Sequence, residues 1–227
     1  MDNTTFEKLK PALISLGFSY AGVPSKNSPD PEKTLVATLS LFHEDQKLYR
    51  MLLAWMERFG DLVHVERMAT YLADLSPNER FILGVTALKL FNTGDTRFKS
   101  LFERIRKEKP KYDLPLSGQD EYLIEKNGLD PEFKFFGIKT AKITPADSKK
   151  LHSRKFVLES NLWLRFRALL GTNYRADIAF VRTSRLVDTA YGAMKFLHCS
   201  KETSYRIWGS LEEARVEDFI RVPSAQP

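Results

Sequence analysis

Phe196-Leu197-His198-Cys199-Ser200-Lys201-Glu202-Thr203-Ser204-Tyr205-Arg206-Ile207-Trp208-Gly209-Ser210-Leu211 is the stretch that decides the reading of this chain. Ser200 is a capping residue, whose hydroxyl accepts from the first free amides of a helix. Glu202 falls in the first turn, where the positive end of the helix dipole favours an acid. Ile207 and Leu211 are four apart and share a face. The pattern predicts a helix ending near Leu197, a tight turn at His198-Cys199, and a second helix over 201–214. Lys201, Thr203, Ser204, Tyr205 and Arg206 lie off the apolar stripe. Such a turn usually holds glycine, which accepts a left-handed backbone without strain. Here His198 or Cys199 takes that place.

Three more helices are predicted upstream. Leu162, Leu164, Phe166, Leu169 and Leu170 form the apolar side of the first, which stops at Gly171. Asn173 is placed to cap the second, with Ala176, Ile178, Ala179 and Val181 facing inward. Asp188 or a neighbour opens the third, with Ala190, Ala193, Met194 and Leu197 as core candidates. A short β-like segment, 216–222, follows the last helix.

The runs Leu164-x-Phe166-Arg167-Ala168-Leu169-Leu170-Gly171-x-x-x-Arg175-Ala176-Asp177-Ile178 and Ser200-x-x-Thr203-x-x-Arg206-Ile207-x-x-x-Leu211-Glu212-Glu213-Ala214-x-Val216 resemble a bacterial winged helix-turn-helix domain of the transcription-regulator type. The resemblance covers the last quarter to third of the chain. It implies that the second helix of the motif lies in the major groove of double-stranded DNA. Lys201, Thr203, Ser204, Tyr205 and Arg206 would sit at or near the groove, where arginine reads guanine and hydroxyls serve bases or phosphates. Arg182 and Arg185 would position phosphates. The chain departs from the pattern in its turn without glycine, and in leaving little room for a two-stranded wing after Val216.

The N-terminal region carries helical periodicity but matches no family. Residues 5–16 repeat Phe6, Leu9, Leu13 and Leu16, interrupted by Pro11. Residues 22–31 read as a loop. Leu48, Leu52, Leu53, Trp55, Met56 and Phe59 make a broad apolar face, continued over 62–75. Ser76-Pro77-Asn78-Glu79 is a capping-box start with proline at the first helical position. Asp95 or Thr96 caps a helix with a Phe98, Leu101, Phe102, Ile105 stripe and basic outer faces over 97–109. These basic faces extend a DNA-binding surface or are simply solvated. Residues 110–115 read as a linker, 120–126 as a short helix, and 133–143 as a strand or an irregular arm.

The fold class expected is therefore mainly α. Residues 1–109 form a helical domain of unknown role, 110–153 a linker or irregular arm, and 154–227 the winged helix-turn-helix domain. The chain has 227 residues and a formal charge of +6, which suits a polyanionic partner. Its single cysteine excludes an internal disulfide framework and points to the cytoplasm. The first residues lack the apolar core of a signal peptide, and no apolar run is long enough to span a bilayer. No membrane association is expected.

Other chemistry is weakly signalled. His43, Glu44, Asp45 and His64 match no metal-ligand spacing. Cys199 beside His198 reads as a packed, inert thiol rather than a nucleophile. Neither a glycine-rich phosphate loop nor a serine elbow is present. No catalytic residue, cofactor or metal is expected, and the chain is not read as an enzyme. The function expected is DNA binding, as a bacterial transcriptional regulator, with the N-terminal helices as sensor, homodimer interface or partner-docking element. The alternative is a protein-interaction module, such as an antitoxin or adaptor partner of another protein.

Overall fold

A computed structural model describes residues 5–42, 45–106 and 118–215. The described residues are mainly helical and contain no strand, only the isolated bridges Phe18 with Leu151 and Leu129 with Ala141. No helix among them is long and apolar enough to cross a membrane. Residues 107–117 and 216–227 lie outside the description, and with them the linker expected at 110–115 and the segment expected as a wing.

The helices start where local chemistry satisfies their first amides. α1 (Phe6–Ser15) carries Pro11 in its interior, where its missing N–H removes one helical hydrogen bond, and Ser15 donates its hydroxyl to the Pro11 carbonyl at 3.0 Å. α2 (Pro31–Leu39) is capped by Asp30, which accepts from the Lys33 amide at 3.0 Å. Asp45 caps α3 (Gln46–Phe59) in the same way. The segment expected to continue α3 breaks into a 3-10 turn at Gly60–Leu62, then α4 (Val65–Thr70) and a second 3-10 turn at Tyr71–Asp74. The capping box at Ser76 and Glu79 is present and opens α5 (Pro77–Asn92). α6 (Phe98–Ile105) buries Phe98, Leu101 and Ile105 against α5.

The middle of the chain packs instead of spanning. α7 (Gly118–Asn127) and α8 (Pro131–Phe135) are followed by a turn, not by a strand over 133–143. α9 (Pro145–Ser148) packs against α3. Phe133, Ile138 and Leu151 join the first hydrophobic cluster, with Trp55, Phe59, Leu62 and Leu90 among others. α10 (Arg154–Ser160) adds Val157 to the same cluster.

α11 (Leu162–Leu170), α12 (Tyr174–Thr183), α13 (Ala190–Leu197) and α14 (Lys201–Glu213) surround a second cluster. Its members include Trp163, Phe166, Ile178, Phe180, Leu197, Ile207 and Leu211. The expected stripe of α11 needs correction. Leu169 is 74% exposed and Leu170 39%, while Trp163 is buried in their stead. Leu164 faces the other way, into the first cluster. α11 is thus buried on two sides, and its apolar residues are divided between two cores.

If the middle segment is structural, Phe133→Ala should cost about 3–5 kcal/mol, the usual range for emptying a phenylalanine site. Urea denaturation of the full chain measures this. A loss within about 0.5 kcal/mol, as for an exposed position, would return this segment to the role of a tether.

Candidate nucleic-acid interface

α13 ends in a left-handed residue. His198 has φ 54° and ψ 35°, and the Cys199 amide donates back to the Met194 carbonyl at 3.2 Å. This turn redirects the chain into α14. The Ser200 hydroxyl then accepts from the Thr203 amide at 3.1 Å and satisfies its first turn. Burial of Ser204, Ile207, Trp208 and Leu211 anchors one side of α14.

The opposite side is open. Among the described residues Lys201, Glu202, Tyr205 and Arg206 are exposed, and Thr203 is half-buried. The Lys201 ammonium lies 5.7 Å from the centroid of the Tyr205 ring, one turn along. Arg206 makes no ion pair or hydrogen bond with any described residue, so it is not the surface partner of Glu202 or Glu213. Of the residues expected at the groove, Ser204 is misplaced. It is fully buried and donates its hydroxyl to the Ala190 carbonyl at 2.6 Å, fastening α14 to α13.

The two upstream arginines separate. Arg185 is exposed, with φ 53° where α12 ends. Arg182 is only partly exposed. Its guanidinium covers the Trp208 ring at 4.7 Å, donates to the Trp208 carbonyl at 3.1 Å and stands 3.6 Å from Glu212. Arg182 therefore holds α14 in place and is not an available phosphate contact. Arg97 at the start of the basic α6 is similarly engaged, by Asp95 and the carbonyls of Gly60 and Val63. Burial pushes the Cys199 thiol up, as expected of an inert cysteine. Among the described residues no group of side chains is arranged to hold a metal.

Beneath this surface lies a buried ionic network that joins the two clusters. Arg167 of α11 grips Glu32 of α2 with both terminal nitrogens, at 2.6 and 2.7 Å. Its Nε donates to Asp177 of α12 at 2.7 Å, and Nη1 also reaches the Leu62 carbonyl at 2.9 Å. The Trp163 indole donates to Asp177 at 2.6 Å, and the His64 Nδ1 stands 2.6 Å from its other oxygen. Arg67 of α4 pairs with Asp30 and Glu32 and covers the Trp163 ring at 4.5 Å. Glu32, Arg67, Arg167 and Asp177 are each at most 1% exposed.

Burial alone would raise the Asp177 carboxyl. Arg167 and the bonded His64 overcome it and hold the group well below the usual carboxylate range. Burial likewise opposes the Arg167 charge, and Asp177 and Glu32 override it, so the guanidinium is held above its ordinary value.

No known family model, curated protein or solved structure matches this chain.

None of the network's charged residues stood out as functional in the sequence, and His64 was weighed only as a metal ligand and set aside. Arg167 and Asp177 were visible only as members of the run 164–178, and Asp30 and Glu32 sat in and beside a loop. The one local signal was a charged residue, Arg167, four positions after Trp163 on a helix whose residues are all apolar except Arg165 and Arg167. Nothing local named its partner, 135 residues away.

Two outcomes follow from the network. Arg167→Leu takes the bidentate partner from Glu32 and the guanidinium from Asp177, leaving them only Arg67 and His64, and should destabilise the chain by about 3–5 kcal/mol, measured by urea titration. Adding Glu32→Leu should recover part of that loss, whereas strict additivity would mean the pair does not couple. Asp177 also sets an acid limit. Its folded value is depressed, so its stabilisation is complete above the unfolded carboxylate range near about 4 and is lost progressively as pH falls from there to the lower folded value. The urea midpoint should drop across that acid window, and a profile equally steep in Asp177→Asn would remove Asp177 from the account.

Proposed function

We propose that the chain binds double-stranded DNA, with α13, the His198 turn and α14 acting as a helix-turn-helix and the outer face of α14 entering the major groove. The observation that carries this is the open row of Lys201, Tyr205 and Arg206 on a helix whose opposite side is anchored in the second cluster. An unpartnered arginine on a rigid helix has its fork of donors free for the O6 and N7 of guanine. Lys201 and Arg185 supply charge for phosphates, and Thr203 a half-accessible hydroxyl. The formal charge of +6 adds sequence-independent attraction. Regulation of transcription is the role that sequence-specific binding of this kind would serve.

A second reading, docking onto a protein partner, draws on a different observation. Leu169, Leu170, Leu186, Tyr191, Phe196 and Tyr205 are all at least 39% exposed and all belong to the last quarter of the described chain. Aromatic side chains of this sort anchor protein interfaces.

Fluorescence anisotropy with a randomised duplex pool, followed by selection of a preferred site, separates the two. Binding should strengthen steeply as salt is lowered. On the selected site Arg206→Ala should lose about 1–3 kcal/mol and relax the sequence preference, while Lys201→Ala should weaken all duplexes alike. Ser204→Ala should change stability rather than preference. No duplex affinity at about 50 mM salt, together with a stoichiometric protein partner, would replace the first reading by the second.

A further inference from the structure

The left-handed backbone positions divide along the length of the chain. α1, α5, α7 and α8 each end on a glycine of positive φ: Gly17, Gly94, Gly128 and Gly137. Glycine is the usual residue where a helix closes in this way, because it has no Cβ to crowd the neighbouring carbonyl. At Gly94 and Gly137 an added Cβ would meet nothing within 4 Å, so glycine stands there for its backbone alone. The helices of the second cluster do otherwise. Among the described residues only three other than glycine have positive φ: Arg185 at 53°, His198 at 54° and Arg215 at 48°. They end α12, α13 and α14 in turn.

The turns themselves are of one kind. The Gly94 amide donates to the Phe91 carbonyl at 3.0 Å, and the next amide, of Asp95, to the Leu90 carbonyl at 3.1 Å. The Arg185 amide likewise donates to the Arg182 carbonyl at 3.0 Å, and the next amide, of Leu186, to the Val181 carbonyl at 2.9 Å. Glycine would close such a turn equally well, yet a long polar side chain is kept there although the backbone favours glycine. All three side chains are exposed. Neither Arg185 nor His198 makes a side-chain hydrogen bond or ion pair with a described residue. A cation also suits the carbonyl end of a helix, but the four upstream helices forgo that in favour of glycine.

The three positions follow α14. His198 stands just ahead of the Ser200 cap at its amino end, and Arg215 comes after its last turn. Arg185 lies three residues past Arg182, whose guanidinium donates to the Trp208 carbonyl midway along α14. A helix seated in a groove about 12 Å wide has a strand of phosphates on either side. We propose that Arg185, His198 and Arg215 are phosphate contacts that frame α14 and set it in the groove. The inference rests on the duplex-binding reading and adds His198 and Arg215 to it. An arginine fork pairs with two phosphate oxygens, and an imidazole has a ring N–H to donate in either proton state. The backbone preference for glycine is overridden at these helix ends because the side chains are used by the duplex.

The test replaces each of the three by glycine in the full chain, singly and together. Arg58→Ala, at an exposed position of α3, is the control for lost charge. Urea midpoints and anisotropy with a randomised duplex pool are measured for every variant. The glycine variants should unfold at the parent's urea concentration or above it, because the turns gain the residue that suits them. Each should bind duplex about two- to fivefold more weakly at low salt, and loss of both arginines should flatten the slope of log affinity against log salt by about two. Base preference on a selected site should stay as it is, since phosphate contacts carry no sequence information. Arg58→Ala should leave the slope unchanged. Glycine variants that bind and respond to salt as the parent does overturn the proposal, and a fall in urea midpoint alone assigns the three side chains to the helix ends instead. A slope flattened equally by Arg58→Ala also overturns it and leaves net charge as the cause. A parent that binds no duplex ends the reading on which the inference rests, and the inference with it. That result is distinct from a parent and variants that bind equally well.

Discussion

The grip of Arg167 on Glu32 and Asp177 is the constraint from which the rest of the architecture follows. A guanidinium with no exposure has to find acceptors for its donors, and here they come from three different parts of the chain. Glu32 lies at the start of α2, Leu62 in the turn after α3, and Asp177 in α12. Only one placement of α11 satisfies all of them together. The planar fork matters, since two parallel bonds to Glu32 fix orientation as well as distance. Such a junction need not be more stable than a greasy one of equal volume. What it enforces is register, because sliding either cluster by one helical turn would leave several charges dry and unpaired.

The register matters because α12 and α14 depend on it. α12 presents Asp177 to the junction while Ile178, Ala179 and Val181 fill the second cluster. At its far end Arg182 clamps Trp208 of α14. α14 is therefore held from the side of the first cluster through a continuous set of contacts: Glu32, Arg167, Asp177, α12, Arg182, Trp208. Among the described residues the outer face of α14 is left uncovered, because every element that holds it does so from the inner side. Tyr71 comes to 6.0 Å of the His198 ring, so the turn itself also abuts the first cluster without covering Lys201 or Arg206.

Local features were readable from the sequence wherever one short segment supplied both partners. The capping box at Ser76 and Glu79, the Asn173 and Ser200 caps, and the buried stripes of α6 and α12 need only spacing and side-chain type. The turn at His198 was readable too, since a break was required between two helices, and histidine occupies the left-handed position glycine would normally take. Errors arose where tertiary packing chose among equal patterns. Leu169 and Leu170 look as apolar as Leu164, but Gly171 turns the chain before a wall can form beside them. Ser204 looks like any polar residue of α14, yet it is the small residue at which α13 and α14 touch, where a hydroxyl with an acceptor beside it fits best. The aromatic and β-branched content of 133–143 left a strand or an irregular arm open because Phe133 and Ile138 need burial. Docking onto α3 and α5 meets that need without a sheet.

The network was beyond local reading for a stronger reason. A buried charge has no sequence signature of its own, since Arg165 and Arg167 are two positions apart on the same helix and only one is buried. Their difference is decided by what lies opposite. Arg165 sends its Nε to the Leu158 carbonyl at the edge of the junction, while Arg167 points to two carboxylates. Hydrophobic periodicity would exclude an arginine from that inward position, yet the sequence places one there. The exception is explained only when Glu32 and Asp177 are brought to the same point. An inward-facing charge in an apolar helix is thus informative even when its partner is unknown. It predicts that distant acids converge on it, and α11 owes its place between the two cores to that convergence.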